Sequence, residues 1–381
     1  MPRVQVKPEL LRWARKRADL AVADLSKRFP NLEAWERGEE RPTFKQLEAF
    51  ARATHAPFGY FFLPEPPEER VPIPDFRTIA GRKLERPSPD LLDTIYLCQH
   101  RQGWYSEHAR LVGEDQRKFV GSARLTDDVV RVAADMRGAL GFDLEERRLI
   151  PTWTEALRRF IEQADALGVL VMVSGVVGTN NRRKLDPEEF RGFALCDDLA
   201  PLVFINSSDT KAAQMFTLAH ELAHLWLGES ALSDVGPVTV PAHEVEQWCN
   251  RVAAELLIPL AALQAEYRKS TTLREEIARM ARRFKVSTLV VLRRLHDAGA
   301  LRREQMWTEY EREMERLQRL PKGAGGDFYL TQSVRAGKRF TKALIASTIE
   351  GHTLYREAFR LLGIKKERTF EKWADSLGVP V

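Results

Sequence analysis

One short segment holds the residues best suited to chemistry. The stretch Phe216–Gly228, FTLAHELAHLWLG, spaces His220, Glu221 and His224 as H-E-x-x-H. On a helix, positions four apart share a face about one turn apart, so the two imidazoles point the same way. Such a pair binds one Zn²⁺ at ~2.0–2.1 Å per nitrogen. Glu221 then stands beside the coordination position left to water, where it takes up the water's proton and passes it to a leaving amine. The intervening residues Leu218, Ala219, Leu222, Ala223, Leu225 and Trp226 are apolar, which predicts a buried helix. Polar side chains gathered in such a helix need partners, because an unpartnered buried polar group costs of order 1–3 kcal/mol. The bare pattern also arises by chance; the uncharged, apolar surroundings make metal the better reading.

Zinc in a catalytic site takes three protein ligands and leaves one position open. The candidates for the third lie downstream in PAHEVEQWCNRVAAELLIP: His243, Glu244 and Glu246. A helix is predicted from about Ala242 to Pro259, with Cys249, Val252, Ala253, Leu256 and Leu257 as its apolar stripe. Glu246 points with that stripe. Glu244 sits at another angle, and His243 is near the fraying end. Geometry favours Glu246 and leaves the other two open, since an acid at a helix start is also simply favoured by the dipole.

The elements that must position these groups can be read from pattern. Short Val- and Ile-rich runs at Gly168–Val177, Phe193–Cys196 and Leu202–Ile205 read as strands. Residues 209–228 and most of 244–377 read as helical, with breaks at Pro259, Pro321–Gly326 and Gly363. Helical spacing also marks 8–18, 21–28, 31–36 and 43–53, and a Pro-rich stretch through Pro57, Pro64, Pro66, Pro67, Pro72 and Pro74 reads as a linker or extended strap. The expected class is α+β, mainly helical: an N-terminal helical bundle, a central domain with a small sheet, and a helical C-terminal region. The expected divisions are 1–63, a linker and helical region at 64–150, a central domain at 151–300, and 301–381. No apolar run approaches the ~18–20 residues of a membrane span. MPRVQVKPEL lacks the apolar core of a signal peptide, and Cys98, Cys196 and Cys249 are too scattered for a disulfide framework, so a cytoplasmic location is expected.

FTLAHELAH, succeeded by E-x-x-C-N-x-V-A-A-E-L-L-I-P at 246–259 and preceded by the strand LVFIN at 202–206, resembles the ImmA/IrrE metallopeptidases. The resemblance covers roughly 151–300. It implies His220, His224 and Glu246 as zinc ligands and Glu221 as the catalytic base. Cys249 and Val252 replace the family's more usual Ala and Phe, both still apolar. The family's link to repressor cleavage implies a regulatory protein as substrate.

The N-terminal residues resemble an Xre-type helix-turn-helix, with Trp35, Glu36, Gly38, Pro42, Leu47 and Ala51 at matching positions. Phe29-Pro30 departs from that pattern. The resemblance implies double-stranded DNA as a partner, with Lys27, Arg28 and Asn31 as contacts; a protein-binding or homodimerising module is the other use. Xre domains joined to this peptidase resemble antitoxins, so the alternative function is an antitoxin or repressor that binds a cognate toxin, its zinc site structural or a switch. Residues 1–55 hold 12 Lys/Arg against 8 Asp/Glu, and residues 301–381 hold 16 against 11. The two ends therefore carry +4 and +5 and the residues between them about −4, so the basic excess sits at the ends, where acidic partners would bind. The tail places Arg335, Lys338, Arg339 and Lys342 on one helix, read as a solvated face or a docking face for an acidic partner. The Arg12–Arg17 run reads as the solvated face of the first helix. The 277–299 segment has helix-turn-helix rhythm but is expected to pack on the central domain.

Overall fold

The structure, a computed structural model, describes residues 2–76, 86–233, 243–268, 271–318 and 335–379. They fall into two units, residues 1–72 with 84–95, and residues 73–83 with 96–381.

The first unit contains four short helices: α1 (Pro8–Arg17), α2 (Val22–Ser26), α3 (Leu32–Arg37) and α4 (Phe44–Thr54). Pro8 opens α1, where a missing N–H costs nothing. Thr43 accepts from the Gln46 N–H at 3.3 Å while Gln46 accepts from the Thr43 N–H at 2.8 Å, a capping box that starts α4. Leu11, Leu25, Trp35, Leu47, Phe50 and Phe61 pack as its core. Arg15 donates through Nε and Nη2 to the two oxygens of Glu36 at 2.7 and 2.9 Å, joining α1 to α3. Arg17 pairs with Glu69 and donates to the His55 carbonyl. The reading of Arg12–Arg17 as a solvated face thus fails for Arg15 and Arg17, because spacing along a helix does not show which distant carboxylates reach it.

The chain passes from the first unit to the second within α5 (Pro89–Val112). Next come α6 (Val129–Leu140), α7 (Leu144–Leu149) and α8 (Trp153–Leu167), then β1 (Leu170–Ser174), β2 (Gly192–Leu195), β3 (Leu202–Asn206), α9 (Lys211–Leu227), β4 (Ala231–Ser233) and α10 (Glu244–Leu257). The sheet order is β1-β3-β2-β4. β1 pairs parallel with β3 (Leu170 opposite Leu202), while β2 pairs antiparallel with both β3 and β4. Both faces of the sheet are covered. Val171, Val173, Val203 and Ile205 join the core with α8, α9 and α10. On the other face, Met172 lies against Cys98 and Arg101 of α5, and Phe193 stacks on Phe204 at 5.0 Å. Double coverage explains why β1 and β3 read as continuous apolar runs rather than alternating ones. The observed class is α+β and mainly helical, with one small mixed sheet.

Val132, Met136 and Leu140 of α6 share a core with Leu157 and Phe160 of α8 and with Leu222 of α9, so one core runs across residue 150. It also takes in Ile277 and Met280 of α12 (Leu273–Phe284) and Val291 and Leu295 of α13 (Thr288–Asp297), after α11 (Leu260–Glu266). Ser287 caps α13 by accepting from the Val290 N–H at 3.2 Å.

Beyond α14 (Arg303–Gln318) come α15 (Lys338–Ile349), α16 (Tyr355–Leu362) and α17 (Glu367–Ser376). Lys338 and Lys342 are exposed on α15. Arg339 is not part of a free basic face: it donates to the Tyr105 hydroxyl and to Glu114 Oε2, both at 2.7 Å. Burial pushes the Tyr105 hydroxyl up to about 12, so it keeps its hydrogen and donates it to Glu114 Oε1 at 2.9 Å. The expected break at 321–326 and the tail residues up to 334 lie outside the described residues. No helix among the described residues is long and apolar enough to cross a membrane.

Candidate metal centre

Helix α9 starts where Thr210 accepts from the Ala213 N–H at 3.2 Å, and ends at Gly228, whose φ of +73° suits glycine. From Gln214 to Trp226 every residue is buried. His220 and His224 lie one turn apart with ring centroids at 4.8 Å, and their Nε2 atoms are 3.1 Å apart. Helix α10 packs on α9 through its apolar stripe and brings Glu246 to the same point. Glu246 Oε2 lies 3.2 Å from His220 Nε2, and Oε1 lies 3.0 Å from His224 Nε2. One ligand atom from each of the three residues falls within 4.8 Å of the others, and all three residues are buried. His243 and Glu244, the other candidates, are exposed.

Hydrogen placement tests whether these atoms suit a cation. Asn250, one turn beyond Glu246, offers its Oδ1 to His220 Nδ1 at 3.0 Å. An amide oxygen only accepts, so Nδ1 carries a hydrogen. Nε2 faces Glu246 Oε2, an acceptor, so positive charge stands between them: a proton in the metal-free chain, or a shared cation, which uses all three ligand atoms at once. Tetrahedral Zn²⁺ with bonds near 2.0–2.1 Å sets its ligands about 3.3 Å apart, close to the 3.0–3.2 Å spacings here. Burial alone would raise the Glu246 carboxyl, but the two imidazoles hold it well below the usual carboxylate range, so it is an anion. Burial lowers the His224 imidazole, which favours its neutral, ligating form.

Glu221 is fully buried, and neither carboxylate oxygen meets hydrogen-bond geometry with a described residue, although the Ser233 hydroxyl is near enough to lower its carboxyl a little. Burial, reinforced by the charge of Glu246, raises its carboxyl well above the ordinary value. A buried acid left without partners beside a ligand set is a group held in reserve for something that enters. Burial also pushes the Cys249 thiol well above its usual range, so it remains protonated and fills space as a small apolar side chain.

Four contributors escape the pattern reading. Asn250 could have been found, since it lies four residues after Glu246 and shares its face. Gly192 opens β2, where a Cβ would come within 2.6 Å of Thr217 Cγ2, 2.9 Å of the Phe204 oxygen and 3.1 Å of Glu221 Oε1. A glycine in a short strand is a known mark of close approach, but not of what approaches. Ser233 of β4 donates to Glu246 Oε1 at 3.2 Å, and β4 itself was not expected. Phe76 lies 6.3 Å from His224, with the rings 9° from parallel.

Asn250→Ala is expected to lower zinc affinity about 10- to 100-fold, the usual cost of losing a residue that orients a ligand. Competition against a chromophoric chelator measures it. Unchanged affinity would show that the Asn250 contact does not orient His220.

The proposed DNA contacts belong to the other unit. Lys27 and Arg28 are exposed on the turn after α2, and the Arg28 guanidinium lies over the Phe29 ring at 5.3 Å. Asn31 precedes α3 and donates to Glu40 Oε2 at 2.8 Å. The exposed side chains of the short α3 include Glu33 and Arg37.

No curated protein and no solved structure matches the chain. Residues 336–376 match a domain of unknown function, DUF8813. Residues 164–296, which include His220, Glu221, His224 and Glu246, match the Peptidase_M78 family model, the IrrE N-terminal-like domain. In both its family match and its cluster of His220, His224 and Glu246, this region is similar to the metallopeptidase-like domain of the ImmA/IrrE type.

Proposed function

We propose that the protein is a zinc-dependent endopeptidase that acts on a regulatory partner protein. The observation that carries this is the convergence of His220, His224 and Glu246 beside a buried Glu221 with no hydrogen-bond partner among the described residues. Zn²⁺ held by the three ligands would supply a Lewis acid for a peptide carbonyl and for water. Glu221 takes the proton from the attacking water and returns it to the leaving amine. Its raised affinity for protons suits both halves, because an acid that binds protons too weakly is a poor base. Asn250 fixes the tautomer of His220, Ser233 steadies Glu246, and Gly192 keeps β2 clear of Glu221. The deciding experiment is Glu221→Gln with zinc content and cleavage measured together.

The regulatory side of the proposal rests on the N-terminal unit. We propose duplex DNA as its partner, through the exposed Lys27 and Arg28. Removing both cations should weaken duplex binding and reduce the slope of log affinity against log salt by roughly one per cation. A double alanine variant with the wild-type affinity and salt slope would remove these residues from any DNA interface.

A further inference from the structure

Strand β4 ends the sheet, so one of its edges pairs with β2 and the other faces outward. The chain's own residues occupy that outer edge. The Leu232 N–H donates to the Pro74 carbonyl at 2.9 Å, and the Phe76 N–H donates to the Leu232 carbonyl at 3.0 Å. Asp75 thereby pairs with Leu232 in parallel sense. This register sets the position of the next residue on each strand. After Leu232 comes Ser233, whose hydroxyl bonds Glu246 and lies 3.4 Å from His224 Nε2. After Asp75 comes Phe76, whose ring lies nearly parallel to His224 and 5.1 Å from that of His243. Whatever pairs with this edge is held in register with the ligand set.

The pairing stops at Pro74 on its N-terminal side. Pro74 has no N–H to offer, and Pro72 lies two residues before it, so the strap cannot extend its ladder backwards. Parallel pairing is also slightly weaker per residue than antiparallel pairing. An antiparallel peptide with an N–H at every position would lack both of these weaknesses on the same edge. We infer that residues 73–76 are an internal occupant of the outer edge of β4, which keep an extended peptide substrate off that edge in the resting chain, with Phe76 capping the metal ligands. The inference rests on the endopeptidase reading, since it assigns that site its resting state.

Two variants of the full chain test it. Phe76→Ala removes the ring, and Phe76→Pro removes the ring and the N–H that binds Leu232. Zinc content verifies that the metal centre survives. Three quantities are read: exchange of the Leu232 amide hydrogen, binding of a fluorescein-labelled peptide with the sequence of residues 71–76, and cleavage of fluorescein-labelled casein. The expected result is faster Leu232 exchange, peptide binding on the order of tenfold tighter than in wild type, and cleavage raised by a similar factor, with Phe76→Pro exceeding Phe76→Ala. Tighter peptide binding without any casein cleavage, in variants and wild type alike, supports the occupied edge and counts against the endopeptidase reading. Casein cleavage at the wild-type rate, with peptide binding unchanged although Leu232 exchanges faster, overturns the inference and leaves the peptidase standing. Unchanged Leu232 exchange in both variants overturns it as well, because the strap would then not be what protects that edge.

Discussion

Glu221→Gln is expected to retain zinc and to lose cleavage by roughly 10²–10⁴-fold, the range for removal of a general acid–base group. Gln keeps the shape of the side chain in a site where Gly192 leaves little spare room, with its Cβ position 3.1 Å from Glu221 Oε1. It removes only the ability to take and return a proton. The three ligand residues are untouched, so zinc content by atomic absorption should stay at the wild-type level. The effect should fall on kcat more than on KM, since proton transfer belongs to the transition state. The acid-side fall in wild-type kcat that reports Glu221 should vanish in the variant's residual activity. The assay belongs in the Phe76→Ala background as well as in wild type, so that the strap does not mask the rate. A Gln variant acting on its partner as well as wild type would end the endopeptidase reading and leave the binding-protein alternative in place.

Glu246→Ala is expected to weaken zinc binding by more than the 10- to 100-fold assigned to loss of an orienting residue, because it removes a ligand outright. Two imidazoles one turn apart remain, with no carboxylate ligand beside them. The loss also shows in stability. A ligand that binds only the folded chain stabilises it by about 4 kcal/mol at a thousand times its dissociation constant. A chelator should therefore lower the melting temperature of wild type and barely change that of Glu246→Ala. Without metal, the sign of the pH effect is set by the depressed Glu246 carboxyl. Its folded value lies below its unfolded one, so its contribution is present above the unfolded value and is lost as pH falls through the folded one. Metal-free Glu246→Ala should lack that part of the acid sensitivity. Equal zinc affinity in the two proteins would mean that Glu246 is not a ligand.

The two motif helices were legible from spacing because their requirements are local. H-E-x-x-H is a helix-face statement, and the apolar filling of α9 announces burial. Glu246 stood out among three candidates because it shares the stripe of α10, while His243 and Glu244 do not. The basic residues were harder. Arg15, Arg17 and Arg339 look alike on a helical wheel, yet they meet Glu36, Glu69 and Glu114, which lie far away in sequence. Strand β4 has three residues, too few for any pattern, and its existence depends on β2 and on the strap beside it.

The sequence by itself therefore determined the kind of chemistry available: two imidazoles on a buried helix and a carboxylate on an amphipathic one, with a further acid next to the first imidazole. Each of these can be read from the 3.6-residue period. Only the tertiary structure decided the rest. It set the 3.0–3.2 Å separations that suit one cation and left Glu221 without a partner among the described residues. It also laid Pro74–Phe76 along β4 beside His224. The physical reason is the same in each case. Metal geometry, close approach at Gly192 and strand pairing depend on backbones brought together from distant positions, and no periodicity along one segment records which backbones meet.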